Sequence, residues 1–298
     1  MTQPGASSNL GKVQIRPVPD PIRLLTMLRA ATQAFRDTPG RRGRMVALDE
    51  AAEVFATGDL HGNLENFRLI LTKADLRSHP RRHLVLQEMV HGPYLYPDGS
   101  DKSHQLLDLL AALKCQYPRQ VHFLPGNHEL AQATNRLIGK GDVDQNELFR
   151  AGVRAGYSPH DEQVYSAYLE LLAIAPLALR TPNRIYLSHS LPSAKHLPKF
   201  DPAVLERDEM EAAEFEYGGV VHSLVWGRDI RAANAAAYLQ KVDADLLITG
   251  HIPCDQGFAV PNDRQLILDS LGTPACYCLF PTDRPLTQTE LVECVGVL

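Results

Sequence analysis

Long apolar runs are missing from this chain. The longest, residues 169–179, is interrupted by Glu170 and Pro176 and falls far short of the ~20 residues a bilayer-spanning helix needs. No membrane segment is therefore expected. Basic runs are equally scarce: none exceeds Arg41-Arg42 or Arg81-Arg82, and 30 Lys+Arg face 35 Asp+Glu for a net charge of −5. Nonspecific grip on a phosphate backbone calls for a basic stripe, so DNA and RNA are not expected as main partners. The five cysteines are odd in number and form no C-x-x-C pair, which argues against a disulfide framework and a thiolate zinc site and favours a reducing cytoplasm. Residues 1–10 are polar, with neither a basic start nor an apolar core, so no secretory signal is expected. No internal repeat or low-complexity segment is evident.

What is present is an ordinary globular composition: 298 residues, 44% hydrophobic and 22% charged, enough for a sizeable core. Residues 1–20, rich in Pro and Gly, read as a tail or lead-in strap. The segment after Pro19 places Ile22, Leu25, Met27 or Leu28, and Ala31 at helical spacing. We divide the chain into a tail plus helix over residues 1–44 and a single domain over 45–298. Within that domain a short aliphatic run, a polar or glycine-bearing turn and a helix-period segment recur. Strands are expected at 53–57, 83–86, 121–124, 184–187 and 245–249, with helices at 64–74 and 104–115. Residues 144–178 read as helical, and 257–260, 265–268, 275–280 and 291–297 as late strands. This alternation predicts an α/β layered fold with functional side chains at the carboxyl ends of strands.

Twelve histidines are present, and their placement is informative. Five strand ends finish in a histidine, carboxylate or amide: Asp59 with His61, Glu88, Asn127 with His128, His189, and His251. One such ending is usually a turn or cap. Five together suggest a site built from oxygen and imidazole ligands, a set suited to Mn, Fe or Zn. Asp59 and His61 are two apart and face one side of an extended strand end, so both can grip one cation. By contrast, His79, His83, His104, His160, His196 and His222 are expected in surface or capping roles, and His122 inside its strand. Cys276 and Cys278 are expected on one face of a strand.

The segments Asp59-Leu60-His61-Gly62-Asn63, Gly126-Asn127-His128-Glu129, the strand before His189, and Gly250-His251 occur in an order that resembles the calcineurin-like metallophosphoesterases. The serine/threonine phosphoprotein phosphatases are the branch that residues 165–189 and Leu224-Val225-Trp226 look most similar to. The resemblance implies two packed mixed β-sheets, a β-sandwich, flanked by helices. It further implies two divalent ions, Mn foremost with Fe or Zn as alternatives. Asp59 and His61 would hold the first, Asn127, His189 and His251 the second, and Glu88 would bridge both. Asn127 would also touch phosphate, and His128 would protonate the leaving alkoxide. The substrate implied is a phosphorylated protein or a small phosphate ester.

The second motif departs from the family's pattern. Glu88 stands where an aspartate is usual, and an insertion at 93–97 precedes Asp98-Gly99-Ser100. Alignment puts Asp98 in the role of orienting the catalytic histidine, with His91 as the alternative. The family's phosphate-binding arginine is absent, and Arg228 is the preferred replacement over Lys102, an Arg228 salt bridge with Asp229 or Asp243 being the bland reading. Tyr94 and Tyr96 would line the substrate cleft or pack the insertion. Two other functions stay open: hydrolysis of a nucleotide or dinucleoside polyphosphate, and a noncatalytic binding protein whose second motif has decayed.

Overall fold

The computed structural model describes residues 20–140 and 143–298. The expected lead-in lies outside these except for Asp20. Asp20 accepts a hydrogen bond from Ile22 N and so caps α1 (Pro21–Arg36), which has proline at its first position. Leu24, Leu25, Leu28, Ala31 and Phe35 form its buried stripe. The short antiparallel strands β1 (Arg41–Arg42) and β2 (Met45–Ala47) follow. Next come β3 (Glu53–Asp59), α2 (Leu64–Ala74), β4 (Arg82–Gln87), α3 (His104–Gln116), β5 (Val121–Leu124) and α4 (Asn127–Thr134). β3, β4 and β5 run parallel, as helical crossovers between strands require.

A two-stranded ribbon, β6 (Gly139–Lys140) and β7 (Val143–Asp144), leads into α5 (Gln145–Tyr157) and α6 (Asp161–Ile174). The continuous helical reading of 144–178 is thus corrected. Pro159 disfavours helical backbone at Ser158 and lacks the N–H a helix needs. By Ala178 the chain is already in β8 (Ala178–Arg180). The remaining elements are β9 (Ile185–Ser188), α7 (Ala212–Phe215), α8 (Val220–Trp226), α9 (Ala232–Lys241), β10 (Leu246–Thr249), β11 (Phe258–Asn262), β12 (Gln265–Leu268), β13 (Cys276–Pro281), α10 (Gln288–Glu293) and β14 (Val295–Val297). The strand expected at 291–297 begins only at Val295, because Thr287 and Glu290 form a capping box that starts α10.

The strands form a seven-stranded sheet in the order β1-β2-β8-β9-β10-β12-β11 and a five-stranded sheet in the order β14-β13-β3-β4-β5. Both mix parallel and antiparallel pairs. Side-chain alternation explains how they stack. Val54, Ala56, Val85 and Leu124 face Leu187, Ile248 and Leu268 in the core between the sheets. The intervening Phe55, Leu84, Leu86 and Phe123 turn outward to the cluster that also holds the buried stripes of α1, α3 and α6. Tyr186 and Leu247 face α8 and α9 on the other side. This is the expected α/β architecture of two packed mixed sheets flanked by helices. At one end the layers touch: β3 forms a bridge at Asp59 with Asp269, and Gly58 N donates to Ser270 Oγ at 2.8 Å.

Three histidines expected on the surface are buried instead. His83 Nδ1 lies 2.9 Å from His122 Nε2 across β4 and β5. His104 Nε2 meets Tyr96 Oη at 3.0 Å, and His222 stacks on Trp226 with centroids 5.0 Å apart. In each case an aromatic ring or hydroxyl packs against the buried ring, a contact that the local sequence does not reveal. His122 lies in its strand and Cys276 and Cys278 are buried on one face of β13, as read from the sequence.

Candidate metal centre

The carboxyl ends of β3, β4, β5, β9 and β10 converge where the two sheets touch. Asp59 closes β3 and Glu88 follows β4. Asn127 opens α4 directly after β5, while His189 and His251 follow β9 and β10. His61 Nε2 lies 3.2 Å from Glu88 Oε2, and His189 Nε2 lies 3.5 Å from that same oxygen. His189 Nδ1 is 3.6 Å from Asp59 Oδ1. Two overlapping clusters result, His61–Glu88–His128 and Glu88–His189–His251, each with ligand atoms within 4.8 Å of one another. Glu88 belongs to both.

Local backbone is bent to make this possible. His61, Glu88, His91 and His251 have φ of 42°, 32°, 61° and 68°, a left-handed region that non-glycine residues seldom occupy and that clusters at functional sites. Two glycines give the carboxylates room. A Cβ on Gly126 would sit 2.0 Å from Glu88 Oε1, and one on Gly250 would sit 2.3 Å from Asp59 Oδ1. Backbone N–H groups then fix the acids: His128 N donates to Glu88 Oε1 at 3.0 Å and His251 N to Asp59 Oδ2 at 3.0 Å. His61 Nδ1 is held by Val90 O at 2.9 Å, which turns its Nε2 toward Glu88.

The electrostatics are those of a cradle for cations. Burial, reinforced by the charge of Glu88, pushes Asp59 well above the usual carboxylate range. Burial pushes Glu88 the same way, yet His189 and His61 outweigh it and hold this acid well below its ordinary value. Desolvation lowers His61 too, but Glu88 overrides it and raises the imidazole to about 10. Burial takes His251 down to about 3 and lowers His189, which favours the neutral rings that metal binding needs, whereas His61 would release its proton to an incoming ion. Asn127 Oδ1 and both ring nitrogens of His189 are buried without a protein hydrogen bond. Such orphaned polar atoms are costly unless something occupies the space between them, and carboxylate, amide oxygen and imidazole form the donor set of a divalent metal. The residues present therefore fit metal ions.

Asp98 is not brought to this site. It lies on an exposed turn where its Oδ1 accepts from Ser100 N and Ser100 Oγ, because the insertion at 93–97 carries the loop outward. His128 instead meets His91, their Nδ1 atoms 3.1 Å apart. His91 Nε2 in turn lies 2.8 Å from Gln132 Oε1, and Gln132 Nε2 donates to Tyr165 Oη at 2.6 Å. Arg228 reaches the site's edge, where its Nε donates to His251 Nε2 at 3.1 Å. The salt bridge weighed for it does not form: Asp229 pairs with Arg231, and Asp243 with Arg180 and Arg184. Lys102 sits over the Tyr96 ring, its Nζ 5.1 Å from the centroid. Tyr94 remains 41% exposed, whereas Tyr96 packs against His104.

Two residues of this network escaped the sequence reading. Glu129 Oε1 accepts from Met89 N and Val90 N, and its Oε2 accepts from Gly126 N. It ties the loop after β4 to the loop after β5. Only its place directly after His128 signalled it. Gln132 had no signal beyond lying four residues after His128 on one helix face.

Comparison with known proteins agrees with this geometry. The calcineurin-like phosphoesterase family model matches residues 52–255, and the chain belongs to that family. Membership implies divalent metal ions. A probable serine/threonine-protein phosphatase of Encephalitozoon cuniculi is 24% identical over 239 residues, covering 75% of this chain and 47% of that protein. Serine/threonine-protein phosphatase 5 of Arabidopsis thaliana is 22% identical over 239 residues, covering 74% of this chain and 40% of its own length. The chain thus spans about half or less of the length of these relatives. Among solved structures, a serine/threonine phosphatase from Saccharomyces cerevisiae superposes with a TM-score of 0.66 at 13% identity, covering 94% of this chain and 89% of the other. A cold-active protein-tyrosine phosphatase of a Shewanella species gives 0.56 at 14% identity, covering 80% and 78%. Among the described residues, no helix is long and apolar enough to cross a membrane.

Proposed function

We propose that the chain is a dinuclear, metal-dependent phosphomonoesterase that acts on phosphorylated serine and threonine in proteins. One observation carries the reading: Glu88 Oε2 lies within reach of both His61 and His189, so one carboxylate serves two ligand sets. Asp59, His61 and Glu88 would hold one ion, and Glu88, Asn127, His189 and His251 the other. Manganese suits this set, as do iron and zinc. Bound ions supply Lewis-acid stabilisation of the phosphoryl oxygens and acidify a water. Arg228, already hydrogen-bonded to a ligand at the rim, offers two further guanidinium nitrogens to phosphate. The likeness to serine/threonine-protein phosphatases favours protein phosphoserine and phosphothreonine as substrate, and free cysteines suit a reducing cytoplasm.

His128 is the candidate for protonating the leaving oxygen. Gln132 donates to Tyr165 and so presents Oε1 to His91 Nε2, which must carry the hydrogen. His91 Nδ1 is then an acceptor and holds the Nδ1–H of His128, directing Nε2 of His128 into the site. A neutral imidazole thus stands in for the expected aspartate. Burial lowers His128 to about 3, and a phosphate dianion arriving beside the ring would raise it.

The test is metal content and turnover together. Protein purified without chelator should carry about two ions per chain and hydrolyse p-nitrophenyl phosphate and a phosphoserine peptide. Asp59→Asn should lose metal and nearly all turnover. Less than one ion per chain, with no activity on added Mn²⁺, would overturn the proposal. Preference for a dinucleoside tetraphosphate over the peptide would overturn the substrate assignment alone.

A further inference from the structure

Behind the start of α4, which carries Asn127 and His128, lies a cavity of about 250 Å³ between α4, α6 and α8. Its walls are mostly apolar: Leu130, Leu172, Leu177, Phe215 and Val225. One cation, Arg44, lines it and is only 4% exposed. Arg44 Nε donates to Ala175 O at 2.7 Å. Of the guanidinium's five N–H donors, the four on its terminal nitrogens have no hydrogen-bond acceptor among the described residues, and no carboxylate there lies within ion-pair distance. Glu129 also lines the cavity, but its oxygens are committed to Met89 N, Val90 N and Gly126 N. The charge that perturbs Arg44 is the like-charged Arg41, which adds to burial in lowering its pKa to about 9. A nearly buried charge with no carboxylate partner among the described residues is unfavourable.

We infer that this cavity is a binding site for a small apolar carboxylate whose head group pairs with Arg44. A single negative charge is favoured, since a second would face Glu129. The volume lies below the ~300–1,000 Å³ usual for drug-sized ligands, so the apolar body is short. The walls offer water few partners. A planar carboxylate matches the guanidinium fork in two parallel hydrogen bonds. This site is separate from the proposed hydrolase chemistry and does not depend on it.

The probe is sodium octanoate, titrated calorimetrically into the full chain, with octanol as its uncharged counterpart. Octanoate should bind saturably, one per chain, and raise the melting temperature, whereas octanol should do neither. Arg44→Met should weaken octanoate by about tenfold or more. Ala133→Trp, which fills the cavity from α4, should abolish binding with the circular dichroism spectrum unchanged. Should Arg44→Met fail to fold, the octanol comparison and Ala133→Trp decide the matter. Equal binding by wild type and Arg44→Met, equal binding of octanol, or no binding at millimolar octanoate would each overturn the inference.

Discussion

The parallel strands of the two sheets hold histidines both past their carboxyl ends and within their length, and the two groups contrast. Between β4 and β5, His83 and His122 stack with centroids 5.1 Å apart and satisfy each other. Burial lowers both, His83 to about 4. Neither has a left-handed backbone. Past the strand ends, His61 and His251 sit on left-handed backbone beside buried carboxylates, and His189 has two ring nitrogens without partners. A buried histidine is thus no signal by itself. What separates a ligand from a packed ring is an unmet acceptor, a carboxylate within reach and a backbone bent to hold them.

The largest effect that sharpens this contrast is at the strand ends. His128→Ala should cost about a hundredfold or more in turnover of an alkyl phosphate and less for p-nitrophenyl phosphate, whose leaving group needs no proton. Rates with both substrates, at unchanged metal content, check this. His91→Leu should follow with a loss of about tenfold to a hundredfold, the range typical of groups that orient a functional histidine. Its loss should show the same dependence on leaving group, and His91→Asp should recover part of it.

At the packed pair the expected effect is on stability, not turnover. His83 and His122 have folded pKa values below the unfolded value of ~6.5. Between that value and about 4 for His83, the unfolded chain binds protons that the folded chain refuses. Their contribution is therefore intact above pH ~6.5 and is lost as pH falls, by up to about 1.4 kcal/mol per pH unit for each ring. Urea midpoints at pH 7 and pH 5 should diverge less in a His83→Leu, His122→Leu double variant than in wild type. Smallest of all is Asp98→Ala, which should leave both the urea midpoint and turnover unchanged. A large loss there would restore the role expected from alignment.

Most of the layered architecture was legible because strand-turn-helix alternation survives in the pattern of apolar residues. The convergence of Asp59, His61, Asn127, His189 and His251 was legible for a related reason: each lies at or just past a strand's carboxyl end, and parallel strands deliver those ends to one place. Glu88 was legible as one more strand end, and its bridging place came from asking what stood where an aspartate was due. Asp98 misled because counting along an insertion does not say which way the loop turns. His83 and His104 misled because their partners, His122 and Tyr96, lie on other elements. Arg44 gave no signal, since its isolation depends on what the surrounding helices fail to provide.

The bridge between Asp59 and Asp269 means that the layers are stitched at the same end that gathers the ligands. Asp59, Glu88 and Asn127 come from one sheet, His189 and His251 from the other. Ions seated there would act as rivets through both halves, coupling metal affinity to cohesion of the sandwich. Stripping them with a chelator should loosen the seam first, ahead of either sheet.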